Sequence, residues 1–202
     1  MQEIRTRYPG YDILKEQYHW DDHTREIVLK RLGPFPEHKF LNEYQAQMIF
    51  AIAQHVVYDN RKEILDYVLH HMDSTLSSLV GEDQRKAGTP EQKVLIREGL
   101  KAIDKLANKK YGKPFLEINI EQQLSVLTAL HKGQAPPMDE WQTIPQKELF
   151  KKLATTIVSA YYSHPTVWSE IGYGGPAYPR GYVRVERGLT DPWEAKRDAN
   201  ES

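Results

Sequence analysis

Residues 89–112 read TPEQKVLIREGLKAIDKLANKKYG, and this stretch decides the fold class. Thr89, Pro90 and Gln92 form a helix start. A hydroxyl stands at the cap, a proline where its missing N–H costs nothing, and an amide three residues past the cap to close the box. Ile96, Leu100, Ile103 and Ala107 recur at spacings of three and four, which places them on one face of an α-helix. Asn108, Lys109 and Lys110 suit the negative end of the helix dipole, and Gly112 stops the helix.

The same pattern runs in both directions from there. Upstream, across a polar loop at 81–88, Asn60 with Glu63 opens a helix carrying Leu65, Val68, Leu69, Met72, Leu76 and Leu79. Before it, Asn42 with Gln45 opens another, with Tyr44, Met48, Ile52 and Val56 as its stripe. The first helix runs from about Asp22 to Leu32, with Ile27, Val28, Leu29 and Leu32 on one side, until Gly33-Pro34-Phe35-Pro36 stops it. Downstream, Asn119 with Gln122 opens a helix carrying Leu124, Leu127 and Leu130 that ends near Gly133. The last starts near Pro145 and carries Leu149, Leu153, Ile157 and Ala160. No stretch alternates with the period of two that a half-buried strand needs. The expectation is an all-α protein: about six helices in a compact bundle over residues 1–162, then an irregular arm over 163–202.

Composition narrows function by exclusion. The 202 residues hold 27 Lys and Arg against 28 Asp and Glu, a net charge of −1. That lacks the basic excess of a nucleic-acid binder or a polybasic membrane-surface protein. With no Cys, disulfides, thiolate nucleophiles and Cys-ligated zinc or iron–sulfur sites are excluded. The longest apolar run, residues 48–53, falls far short of the ~20 residues of a spanning helix. Residues 1–11 have no apolar h-region, and Arg5 and Arg7 flank Thr6 instead of pairing, so no secretory or twin-arginine signal is read. Together with the absence of Cys this favours the cytoplasm. Export or membrane association alongside a signal-bearing partner is the alternative.

Chemistry-bearing residues are sparse. His19-Trp20-Asp21-Asp22-His23 spaces two histidines as on an H-E-x-x-H helix face, but lacks the Glu base, and Asp21-Asp22 reads better as a helix cap. His70 and His71 are adjacent on a helix and diverge by ~100°, so one is expected partly buried and the other exposed. His55 lies beside an apolar stripe as a packed histidine. No G-x-S-x-G or S-x-x-K nucleophile appears. Gly172-Tyr173-Gly174-Gly175 is not G-x-G-x-x-G, follows no strand and precedes no Walker-type lysine.

The character of the chain changes at Ser163. Residues 164–182 read HPTVWSEIGYGGPAYPRGY. Glycine and proline at this density deny a helix, while Trp168, Tyr173, Tyr178 and Tyr182 deny ordinary disorder. Such rings must be buried, either on the chain's own helical body or on another protein. Arg180, Arg184 and Arg187 follow, and Arg and aromatics are the types enriched at interface hot spots. The expected interface residues are Trp168, Ile171, Gly172, Tyr173, Gly174, Gly175, Pro176, Tyr178, Arg180, Gly181, Tyr182, Arg184 and Trp193. Among these, Trp168, beside the sixth helix, is the ring most suited to an intramolecular role.

Tyr161-Tyr162-Ser163-His164-Pro165, Trp168, Glu170-Ile171-Gly172-Tyr173, Gly175-Pro176-Ala177 and Pro179-Arg180-Gly181-Tyr182-Val183-Arg184 together resemble the C-terminal signature of the gluconate 2-dehydrogenase subunit 3 family. Asp191-Pro192-Trp193-Glu194 is similar to the branch of that family found in Gram-positive bacteria. Residues 40–53 resemble its helical start. The resemblance spans about residues 20–195, and its specific motifs lie within 161–194. Where many members carry a proline-rich P-G-A element after the second helix, Asp59-Asn60-Arg61-Lys62 stands here. The resemblance implies a small, cofactor-free, chaperone-like subunit. Its partner would be a glucose–methanol–choline (GMC) type flavoprotein that holds FAD and oxidises a sugar, sugar acid or alditol, and a cytochrome c subunit often takes the electrons. It implies no catalytic, cofactor or metal residue in this chain. Two other functions remain open: an independent metal-dependent enzyme using His19, His23, Asp21 or Asp22 with His70 or His71, and a helical adaptor for another partner.

Overall fold

The computed structural model describes residues 6–78, 86–181, 183–184, 186 and 188–196. Among them are seven α-helices and no strand: α1 Asp22–Leu29, α2 Glu43–Val57, α3 Lys62–Ser77, α4 Gln92–Tyr111, α5 Ile120–Lys132, α6 Gln146–Tyr161 and α7 Pro165–Ile171. Four short 3-10 segments join them, at Ile13–His19, Lys30–Leu32, Phe115–Glu117 and Asp139–Gln142. The all-helical class read from the sequence is the class observed. No helix among the described residues is long and apolar enough to cross a membrane.

The chain divides into two compact units. The larger comprises Pro36–Asn60 and Val68–Ser159. Two of its helices, α2 and α5, start where local chemistry says they should. Asn42 with Gln45, and Asn119 with Gln122, each form the full reciprocal capping box. Gly112 and Gly133 close α4 and α5 in the left-handed conformation. Met48, Ile49 and Ile52 of α2, Ile96, Leu100 and Ile103 of α4, Val126 and Leu130 of α5, and Leu149, Leu153 and Ile157 of α6 are all buried. Gly99 lets α6 approach α4, because a Cβ there would run into the side chain of Leu149. Asp73 of α3 is buried and accepts the backbone N–H groups of Lys39 at 2.8 Å and of Phe40 and Leu41 at 2.9 Å. Burial opposes its ionisation, but the three donors outweigh it and hold its carboxyl below the usual range.

Several expectations need correction here. α4 begins at Gln92, not at Thr89 and Pro90, and Glu91 stands at its N-cap without a side-chain bond. α3 begins at Lys62, and its first ladder bond runs from Leu65 N–H to Arg61 C=O, so Asn60 lies outside the cap. In α2 the buried face is rotated toward Ala46, Ile49 and Ala53, and Tyr44 is exposed with its hydroxyl on Asp104 at 2.7 Å. Leu124 of α5 is exposed, and Val126 is buried in the same helix. Leu79 and residues 81–85 lie outside the described residues.

The smaller unit comprises Met1–Phe35, Arg61–Tyr67 and Ala160–Ser202. α1 is capped by Asp21, which accepts from His23 and Thr24 N–H, the capping role expected within HWDDH. Only Val28 of its expected stripe is buried; Ile27, Leu29 and Leu32 are exposed, and the last turn narrows to a 3-10 segment ahead of Gly33. The core of the unit is Ile13, Trp20, Val28 and Trp168, with Tyr11 and Leu14 packed against it.

Candidate functional site

Helix α7 forms where glycine and proline density pointed to none. Pro165 occupies its first turn, where a missing N–H is harmless, and His164 caps it, Nδ1 accepting the Thr166 N–H at 3.2 Å. Seven residues are too few for a helix to hold alone, and burial of Val167 and Trp168 supplies the rest. Trp168 donates its indole N–H to the Tyr162 carbonyl at 2.6 Å, and the Arg31 guanidinium lies 5.1 Å from its ring centre. The imidazole of His164 is 2% exposed and 5.5 Å from the Tyr67 ring. Burial pushes its pKa down to about 4, and the nearby cations Arg61 and Arg31 push the same way. It is therefore neutral at pH 7, which its role as acceptor requires. Arg61 forks onto both oxygens of Glu170, one contact at 3.0 Å, fixing the far end of α7.

Beyond α7 the arm is irregular but tied down. Gly172 ends the helix in the left-handed conformation with the Tyr8 ring over it. Gly175 has φ +74°, and a Cβ there would stand 2.8 Å from the Trp20 ring. Arg180 donates to the Gly174 carbonyl, and its guanidinium lies 4.8 Å from the Trp193 ring centre. Asp191 is buried and accepts the N–H groups of Val183 at 3.1 Å and Arg184 at 2.9 Å. Its own N–H goes to Glu194 Oε2 at 2.7 Å. The Asp191-Pro192-Trp193-Glu194 motif is thus a turn that anchors the preceding backbone.

These ties sort the expected interface residues. Trp168 is 6% exposed, inside the unit's own core. Gly172, Gly174 and Gly175 are packed under Tyr8, Trp193 and Trp20 respectively. Pro176 and Trp193 are half-buried, and the Arg184 guanidinium donates to the Thr190 carbonyl at 3.1 Å. Gly181 is exposed. Ile171, Tyr173, Tyr178 and Val183 remain turned to solvent, Tyr178 at 71% and Val183 at 68%. Tyr173 meets Trp168 edge-on at 5.2 Å. Tyr182 and Arg187 lie outside the described residues.

Sequence reading missed the N-terminal partners of the arm. Tyr11 donates to the Trp193 carbonyl at 2.8 Å, Thr6 Oγ1 to the Glu170 carbonyl at 2.6 Å, and the Ile13 N–H to Ser169 Oγ at 3.0 Å. The signal was there: Tyr8-Pro9-Gly10-Tyr11 repeats the Tyr, Pro and Gly chemistry of the arm.

The glycine turn does not fit a dinucleotide, because the space over each glycine is filled by this chain's own side chains. Among the described residues no three His, Asp or Glu side chains gather as a metal would need. His19 lies 3.4 Å from Glu16 and faces Trp193, and His23 is exposed. His55 bonds Gln123 at 2.9 Å as a packed histidine. His70 and His71 are both half-buried, which corrects the expectation that one is exposed.

A family model described as gluconate 2-dehydrogenase subunit 3 matches residues 43–175, from the first turn of α2 to the glycine seated on Trp20. No curated protein and no solved structure gives a match.

Proposed function

The chain belongs to the gluconate 2-dehydrogenase subunit 3 family, and on that premise we propose that it is a non-catalytic, chaperone-like small subunit. It binds and stabilises an FAD-dependent large subunit of the GMC type that oxidises a sugar, sugar acid or alditol. FAD belongs to that large subunit, and a cytochrome c subunit is the proposed electron acceptor. The cytoplasm is the proposed compartment, with export beside a signal-bearing large subunit as the alternative.

The observation that carries this reading is the display of Ile171, Tyr173, Tyr178 and Val183 on a backbone that is already tied down. Exposed rings and aliphatic side chains on a fixed segment suit association, since the ordering cost of the arm is met before the partner arrives. The family premise supplies the partner class: subunit 3 works within a multi-subunit dehydrogenase. The test is capture of the tagged full chain from its native host, followed by an absorbance spectrum. The expected result is a co-purifying chain with an oxidised-flavin spectrum that bleaches on addition of a sugar or alditol. A folded, colourless, partner-free chain would overturn the proposal.

A further inference from the structure

The arm is shaped by the other end of the chain. Tyr11 Oη donates to the Trp193 carbonyl at 2.8 Å, and the Trp193 ring lies 4.8 Å from the Arg180 guanidinium and 6.0 Å from the His19 ring. Fixing Trp193 fixes the 191–194 turn, in which Glu194 N–H meets the Asp191 carbonyl at 3.0 Å. The Asp191 carboxylate in turn holds the backbone of Val183 and Arg184, and Val183 is one of the exposed apolar side chains. At the other end of the arm, Tyr8 fills the space over Gly172, and Trp20 with Ile13 fills that over Gly175. Tyr178 lies between these two anchored ends.

We propose that residues 8–20 are an intramolecular template that sets the arm in its docking shape before a partner arrives, with Tyr11 as the positioning residue that links the template to Trp193. The template and Trp193 both lie outside residues 43–175, so this device is additional to what the family model describes. The Tyr11 phenol suits this role. Burial, with Glu16 close by, pushes its pKa up to about 12, so its proton stays available to the carbonyl at any ordinary pH. The value of such a template is preorganisation. An arm already in its bound shape loses less conformational freedom on docking. This inference rests on the reading of the arm as the docking segment.

The test uses the full chain with Tyr11→Phe, which keeps the ring and removes only the hydroxyl. In the free protein, the amides of Val183, Arg184, Asp191 and Glu194 should exchange with solvent roughly fivefold faster, the scale of one hydrogen bond, while Leu95 in α4 is unchanged. Unchanged exchange at those four amides would overturn the template. In capture from the host, the variant should retain less flavoprotein than the wild type at equal loading. Tyr178→Ala should also retain less, but with wild-type exchange. Loosened amides with undiminished capture would overturn the template's part in docking and leave docking by the arm intact. If the wild type captures no flavoprotein, the docking reading fails, and the template as a device for docking fails with it; amide exchange then reports only the fold.

Discussion

His164 takes the place at the head of α7 that Ser, Asp or Asn usually fills, and it does so with a ring nitrogen that must stay unprotonated. Its pKa in the folded chain is about 4 against an ordinary 6.5. Between those values the unfolded chain binds a proton that the folded chain refuses, so stability rises with pH there. The contribution is complete above pH 6.5 and is lost as the pH falls toward 4, by at most about 3 kcal/mol. Asn at this position can still cap but does not titrate. His164→Asn should therefore flatten the fall in urea midpoint between pH 6.5 and 4, and an equally steep fall in wild type and variant would contradict the role given to His164. Nothing local marks this histidine as a cap. Its state is set by burial and by Arg61 and Arg31, distant in sequence, whereas the boxes at Asn42 and Asn119 are legible because all their atoms lie within four residues.

At the scale of elements, α4 and α6 meet at Gly99 and Leu149. Glycine inside a helix costs about 1 kcal/mol relative to alanine, and here the lost propensity is offset by close approach. Gly99→Ala should gain that propensity yet destabilise by about 1–3 kcal/mol through overpacking. Leu149→Ala alone should cost about 2–5 kcal/mol. Together they should cost clearly less than the sum, because the new methyl enters the space that Leu149 vacates. Strict additivity in chemical denaturation would contradict the contact. The stripe of α6 is fully legible in the sequence, since Leu149, Leu153, Ile157 and Ala160 are all buried. α1 misleads because its apolar residues do not share one face: Ile27 and Leu29, two apart and so ~200° around the helix, are exposed, and only Val28 is buried. α7 escapes sequence reading for the opposite reason: its pattern is poor, and its stability comes from Trp168 and from the Arg61–Glu170 fork, which joins residues 109 apart.

For the whole molecule, composition and helical periodicity reach the all-α class, and motifs within 161–194 point to the family, whose model matches residues 43–175. What they do not reach is which side chains of the arm face outward. Trp168, Gly172 and Gly175 are packed inward, the two glycines under Tyr8 and Trp20 of the N-terminal segment, whereas Tyr178 and Val183 face outward. In the proposed complex this outward set docks on a flavoprotein dehydrogenase. The most direct measurement is the dissociation constant of the captured flavoprotein for the wild-type chain and for full chains carrying Tyr178→Ala or Val183→Ala, each shown folded by circular dichroism. If the outward side chains are interface anchors, each substitution should weaken binding by about tenfold or more. Folded variants that bind as tightly as the wild type would contradict the claim.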